Sequence, residues 1–229
     1  MEIATFDLEK KLLGKGYGFV IGVDEAGRGP LVGPVVACAA TLKNNESGIK
    51  NQELKEWDLV RDSKKLSAGQ REKAFDFVLE NFHVGIGICD HETIDRVNIL
   101  EASFLAMKIA LVDLNSKLKN YKLNKNSKFK IQNYKQILLV DGNKKIPNFS
   151  GEQLAVVGGD KIVKSISAAS IVAKVTRDRM MMEAHEKYPQ YHFDKHKGYG
   201  TKIHMESLKQ YGPCEIHRKS FAPVKKTLK

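Results

Sequence analysis

The sequence predicts an α/β fold, a mixed sheet covered by helices. Three strand-like apolar runs come before residue 90, and two later ones alternate with long amphipathic patterns. The first two runs, residues 20–23 (VIGV) and 35–42 (VVACAATL), are β-branched or small and flanked by Gly, Pro and Asn. They read as strands joined through a Gly-Arg-Gly-Pro turn. Residues 82–89 (FHVGIGIC) alternate like a half-buried strand. Residues 137–140 (ILLV) run into Asp141-Gly142, and residues 154–157 (LAVV) into Gly158-Gly159-Asp160. Helical spacing predicts helices over 67–81, 93–114, 167–188 and 202–211, the last stopped by Gly212-Pro213. Residues 115–136 hold seven lysines, five asparagines and no acid, and read as a solvated loop that could also help to bind a polyanion.

Totals narrow the class. At 229 residues the chain can bury a substantial core as one large domain. Its 38 Lys plus Arg against 27 Asp plus Glu give a net charge of +11, which favours a polyanionic partner. Cys38, Cys89 and Cys214 are scattered and odd in number, against a disulfide framework and in favour of a reducing cytoplasm. The N-terminal residues lack the apolar stretch of a signal peptide, and no run approaches the roughly 18 apolar residues of a membrane span. A soluble, cytoplasmic protein is expected, with no membrane partner.

The chemistry concentrates at strand ends. Successive strand side chains point to opposite faces, so Asp24 and Glu25 can share a site only if the strand ends there and the chain turns at Ala26-Gly27. Asp141 ends the ILLV run in the same way. If these two strands are parallel neighbours, three carboxylates meet, and Asp160 after its Gly pair is a fourth candidate. Four acids in one cleft repel unless cations neutralise them, and hard oxygen ligands suit Mg²⁺ or Mn²⁺. Two such ions about 4 Å apart can hold both the attacking and the leaving oxygen of a phosphodiester. The competing reading makes each acid a cap or turn residue, and recurrence at strand ends weighs against it.

Gly27, Gly29 and Gly33 suggest a dinucleotide fingerprint, but the spacing is one residue too long and Pro30 has no N–H to give a phosphate. The turn instead offers backbone that a ligand can approach closely, with Arg28 as a planar phosphate donor. Asp62 to Ser67 (DSKKLS) ends a loop and opens a helix, with Ser67 its N-cap and Lys64 a possible phosphate grip. Five of the seven histidines fall in the last 45 residues. His192 and His196 lack companions for a zinc pattern. The basic residues interleaved with Tyr188, Tyr191, Phe193 and Tyr199 fit either a surface that stacks on nucleic acid or aromatics anchoring the C-terminal part.

The segments VIGVDEAGRGPLVGPVVA, RDSKKLS, LLVDGNKKIP, GGDKIVKSISAASIVAKVTRDRMM, YPQYHFDKHKGYGTKIH and IHRKSFAPV, in this order, closely resemble type 2 ribonuclease H, the bacterial ribonuclease HII family. The resemblance covers nearly everything from Phe19 to Val224. It implies an RNase H-like fold, a central five-stranded mixed sheet flanked by helices, in one catalytic domain over 19–224. A core to about residue 180 would carry a C-terminal helical substrate-binding extension over about 181–224. It also implies an endonuclease that cuts the RNA strand of RNA–DNA hybrids and incises 5′ of single ribonucleotides in duplex DNA, leaving 3′-hydroxyl and 5′-phosphate ends.

By motif position, Asp24, Glu25, Asp141 and Asp160 match the catalytic, metal-binding acids, the same four that the strand ends select. They would position two Mg²⁺ or Mn²⁺ ions, so a metal-activated water needs no histidine base. Gly27, Arg28 and Gly29, with Tyr199 of KGYGT, match the group that senses the 2′-hydroxyl at an RNA-to-DNA junction. Only close backbone approach can test that hydroxyl directly. Lys64 resembles a substrate-phosphate contact. Type 3 enzymes lack the GRG turn and carry a long N-terminal domain, so they fit less well. The segments 43–61 and 115–136 are longer than is common in the family. A monomer is expected. A non-catalytic binder of hybrid duplex would have reason to keep acids out of its cleft, and a resolvase or transposase on the same fold would lack GRG and KGYGT.

Overall fold

The computed structural model describes residues 4–43, 55–124 and 135–228. Five strands form one sheet in the order β3-β2-β1-β4-β5: β1 (Phe19–Ala26), β2 (Val35–Leu42), β3 (Phe82–Cys89), β4 (Gln136–Asp141) and β5 (Glu152–Val156). β1 pairs antiparallel with β2, and β2 with β3, whereas β1–β4 and β4–β5 are parallel. The sheet is therefore mixed, and β1 and β4 are the parallel neighbours that the acid placement needs.

The helices are α1 (Asp7–Leu13), α2 (Ala68–Asn81), α3 (His91–Val97), α4 (Ile99–Asn124), α5 (Gly159–Ile162), α6 (Lys164–Lys187), α7 (Phe193–His196), α8 (Lys202–Tyr211) and α9 (Ala222–Lys225). One face of the sheet packs on α2 and α6 through Cys38, Ala40, Phe77, Val78, Ile171 and Val172. The other packs on α4 through Ile21, Val23, Ala37, Ala39, Ala106 and Leu114. β2 is buried along its whole length, so its small residues let helices close on both faces. Gly85 and Gly87 serve the same need on β3. A Cβ on Gly87 would lie 2.0 Å from the Ala106 carbonyl oxygen of α4, and one on Gly85 2.2 Å from that of Ala110.

The structure corrects three expectations. The helix expected over 93–114 is two helices, because Asn98 adopts φ 72° and its side chain accepts the Leu100 and Glu101 amides at 2.9 and 3.1 Å. Asn98 thus ends α3 and starts α4. The lysine-rich segment is no loop at its beginning: α4 continues to Asn124 and buries Leu118, while residues 125–134 lie outside the described residues. The lysines there mask the apolar positions that carry the helical stripe onward.

β1 does not end at Glu25 either. It runs to Ala26, and the chain turns at Gly27, where φ is 103°. Ser67 caps α2 as expected, in a reciprocal capping box with Gln70. In the other long segment, residues 44–54 lie outside the described residues, and residues 55–59 form a 3₁₀ turn. That turn seats Trp57 edge-on against Phe6 and Phe77, at 5.1 and 4.8 Å between ring centroids. α6 runs unbroken from Lys164 to Lys187. Among the described residues, no helix is long and apolar enough to cross a membrane.

Gly87→Ala must push α4 off the sheet and is expected to destabilise the fold by about 3 kcal/mol. Gly69→Ala, at an open position of α2, is expected to change stability by less than about 1 kcal/mol in the opposite direction. Urea unfolding of the two variants checks the pair, and equal midpoints would show that the α4 contact is not tight.

Candidate active site

The parallel pairing of β1 and β4 sets Val23 beside Val140, so the acids that follow emerge at the same end of the sheet. Asp24 lies on the α6 side and bonds to Ser170, whose hydroxyl also lies 3.1 Å from that of Ser63. Glu25 points to the α4 side, into a hollow of about 120 Å³ lined by Arg28, Ser103, Phe104, Met107 and Asp141. The two adjacent carboxylates therefore straddle the sheet, and it is Asp141 at the end of β4 that lies within electrostatic reach of both.

Asp160 enters from α5. Gly158, at φ 65°, turns the chain so that the Asp160 amide donates to Asp141 Oδ1 at 3.3 Å. A Cβ on Gly159 would reach the same Asp141 oxygen at 3.3 Å and Ile166 Cδ1 at 2.4 Å, so this approach needs glycine. Lys64 follows Asp62, whose side chain caps its amide at 3.0 Å, and its Nζ stands 3.5 Å from Asp160 Oδ2. Arg28 Nη1 donates to Glu25 Oε1 at 3.3 Å.

The electrostatics follow from crowding. Burial, then repulsion from Glu25 and Asp141, holds Asp24 well above the usual carboxylate range. Burial also raises Glu25, with Arg28 opposing and Asp141 adding to the shift. Asp141 is raised by burial and by Asp160, against the Asp160 and Gly159 amides and Lys64. Desolvation would lower Lys64, but Asp160, Asp24 and Asp62 together outweigh it and keep its charge more firmly bound. Among the described residues, no three His, Cys, Asp or Glu side chains close into a metal-holding cage. What exists is an open set of oxygen donors under strain from their own charge. It suits hard divalent ions that keep water and substrate oxygens as further ligands.

Residues 27–34 form the second half of the site. Gly27 can hold its positive φ, and a Cβ there would strike Arg177 Nε at 2.3 Å. Arg177 and Arg218 are fully buried, and neither role was visible in the sequence. Arg218 donates to the carbonyl oxygens of Gly27 (2.7 Å), Arg28 (3.2 Å), Pro30 (2.8 Å), Gly33 (2.9 Å) and Pro34 (3.0 Å). Arg177 donates to Pro34, Val32 and Lys197 at 3.0, 3.2 and 3.0 Å. Desolvation lowers the two guanidinium groups to about 9 and about 10, respectively, so both remain cations at neutral pH.

The same loop is stitched to the C-terminal part by backbone bonds. The Leu31 amide donates to Gly198 and the Gly33 amide to Ile216, both at 2.9 Å. These contacts bring Tyr199 to the turn: a Cβ on Gly29 would sit 3.5 Å from Tyr199 Cε1. Tyr199 is 44% exposed and Lys174 Nζ stands 5.9 Å from its ring centre. Tyr191 and Phe193 are buried and stacked at 5.4 Å, and Tyr188 donates to Glu215 at 3.1 Å. For these three the anchoring role holds, while Tyr199 alone presents its ring beside the turn. His196 is buried, with Nε2 2.9 Å from the Tyr191 carbonyl oxygen.

The sequence model of the family described as Ribonuclease HII matches residues 21–224. The chain belongs to the ribonuclease HII family. It is 51% identical to the Ribonuclease HII of Fusobacterium nucleatum over 206 residues, 90% of this chain and 86% of that one. Among solved structures it resembles the ribonuclease H2 of Pyrococcus horikoshii, at 30% identity and a TM-score of 0.64, over 91% of this chain and 96% of that one. The fold is also shared with Bst-RNase HIII in complex with Mn²⁺, at 18% identity and a TM-score of 0.65, covering 93% and 70% of the two chains. The enzyme is thus a ribonuclease H, an endonuclease of RNA–DNA hybrids.

Because the fold holds Asp24 above its unfolded value, it prefers the neutral carboxyl. That contribution is fully favourable below about pH 4, where both states are protonated, and is lost as pH rises through the folded value. Asp24→Asn is therefore expected to raise the stability of the metal-free protein at pH 7. The gain should vanish near pH 4 and shrink when Mg²⁺ is added to the wild type. Thermal melts in chelator check this, and a variant no more stable than wild type would mean that Asp24 carries no such strain.

Proposed function

We propose that the enzyme incises duplex DNA on the 5′ side of single embedded ribonucleotides as well as cutting the RNA strand of hybrids, leaving 3′-hydroxyl and 5′-phosphate ends. The observation that carries this reading is the placement of the Tyr199 ring beside Gly29, where an added Cβ would lie 3.5 Å from Tyr199 Cε1, at the turn that follows Asp24 and Glu25. A side chain on Gly29 would fill the gap beneath the ring, whereas glycine leaves bare backbone facing it. A sugar held there has its 2′-hydroxyl, both donor and acceptor, tested by main-chain groups.

Asp24, Glu25, Asp141 and Asp160 would hold two divalent ions, Mg²⁺ or Mn²⁺. Bound there, such ions would offset the carboxylate repulsion, lower the pKa of water and stabilise charge on the scissile phosphate. Their oxygen-only chemistry supports this, as does the Mn²⁺ complex of Bst-RNase HIII on the same fold. Lys64, 78% exposed at its side chain, and Arg28, 53% exposed, are free to move from their carboxylate partners to substrate phosphate. The rigid Gly27–Gly29 backbone then decides which phosphate meets the acids. We take the enzyme to act as a monomer in the cytoplasm, in keeping with its free Cys38, Cys89 and Cys214.

A labelled duplex with one ribonucleotide should be cut once, 5′ of that residue, with Mg²⁺ and not without it. Asp141→Asn should reduce turnover on the order of 10³-fold while leaving binding within a few-fold of wild type. Retained turnover would overturn the assignment of Asp141.

A further inference from the structure

The mechanism above uses no histidine, yet three are buried together beneath Tyr199. His196 and His204 stack with ring centres 4.7 Å apart, and His204 and His217 lie 5.3 Å apart. Their polar atoms join into a chain whose two ends have no choice of role. The Cys214 backbone amide can only donate, and it meets His217 Nδ1 at 3.0 Å. His217 must then carry its proton on Nε2, which lies 3.1 Å from His204 Nε2. His204 must accept there and carry its own proton on Nδ1, 3.0 Å from the Tyr199 carbonyl oxygen, which can only accept. One arrangement of protons satisfies these three links together, and leaves the 3.3 Å approach of His217 Nδ1 to the Cys214 carbonyl oxygen as a close contact without a hydrogen bond.

The surroundings keep that arrangement in place. Burial lowers His204 and His217 to about 4, so both are neutral at physiological pH. Burial also raises the Cys214 thiol to about 11, so its sulfur, 3.0 Å from His217 Nδ1, stays a thiol. On the other side His196 accepts the Gly198 amide at 3.2 Å, and its carbonyl accepts the Tyr199 amide at 3.0 Å. The Thr201 amide adds a second bond to the Tyr199 carbonyl at 2.8 Å. The exposed Tyr199 ring is thus aimed at Gly29 by a backbone gripped on both sides.

We propose that His204 and His217 are positioning residues, a directed hydrogen-bond relay from Cys214 that fixes the Tyr199 ring over the Gly27–Gly29 turn and so sets selectivity for a lone ribonucleotide. The proposal rests on the reading of Tyr199 given above. It separates His204 from a merely structural residue, because the link to Tyr199 and the link to His217 use different ring nitrogens. Asparagine places an amide donor near the Nδ1 position and keeps the first link. Glutamine reaches the Nε2 position and keeps only the second.

The test compares kcat/KM on a duplex with one ribonucleotide and on a hybrid with a continuous RNA strand, for wild type, Tyr199→Ala, His204→Gln and His204→Asn. The ratio of the two values should fall about ten-fold in His204→Gln, which loses the Tyr199 link, and by a smaller, about three-fold amount in His204→Asn, which keeps that link but loses the one to His217. An unchanged ratio in His204→Gln, or equal losses in both variants, would overturn the relay while a lowered ratio in Tyr199→Ala leaves the role of Tyr199 standing. An unchanged ratio in Tyr199→Ala would overturn that role and the relay with it. Nitrogen-15 spectra of the wild-type imidazoles give a readout independent of variant folding. They should show His204 protonated at Nδ1 and His217 at Nε2, and the same tautomer at both would overturn the relay.

Discussion

The site depends on two buried positive charges neutralised chiefly by peptide dipoles. Arg177 and Arg218 spend their donors on carbonyl oxygens, most of them in residues 27–34. Burying a guanidinium costs several kcal/mol unless its N–H groups are satisfied, and carbonyl oxygens directed at a planar fork can satisfy it. The constraint works in both directions. The loop cannot relax without stranding a cation, and the cations cannot leave without stranding carbonyls. Lysine, a compact charge with three donors that share no plane, could not hold so many oxygens in one plane. Leu31 and Val32 add apolar anchorage, one packing with Leu208 and Val224 and the other with Met181, Tyr191 and Phe193.

Against this rigid loop stands a group of acids that the fold holds at a cost. Parallel pairing of β1 and β4 brings Asp24, Glu25 and Asp141 to one sheet end, and the Gly158-Gly159 turn adds Asp160. Each of the first three is pushed toward its neutral form. Sites that work on phosphate esters gain from such strain, because binding of cations and substrate relieves it. Stability is supplied elsewhere, in the two apolar layers packed on either face of the sheet.

Much of this was legible in the sequence, and what was missed has physical reasons. Strand patterns are local, so all five strands were found, and an acid ending an apolar run is visible as such. The pairing of Asp24 and Glu25 was legible only in part: their site was anticipated, but β1 continues through it and the acids straddle the sheet. Asn98 looked like an ordinary polar position within a helix, and only its φ of 72° marks the break between α3 and α4. Arg177 and Arg218 were invisible because a lone arginine in a basic chain reads as surface, and no periodicity encodes burial by partners more than 140 positions away. The buried histidines bond to partners no more than 13 positions away, but among basic and aromatic neighbours they read as part of a surface. Tyr199 was distinguished from its neighbouring aromatics by resemblance, since its spacing alone does not set it apart from Tyr191 or Phe193.

The separation between Arg28 and Arg218 also orders events in time. Chains emerge from the ribosome N-terminus first, and domains fold as their contacts become available. Asp24, Glu25, Asp141 and Asp160 can come together once β4 and α5 have been made. The turn beside them lacks its five bonds from Arg218 until the last part of the chain has been made. A nascent chain can therefore gather its four acids before the turn beside them is held in place, and the fixed shape of that turn is the last feature of the site to form.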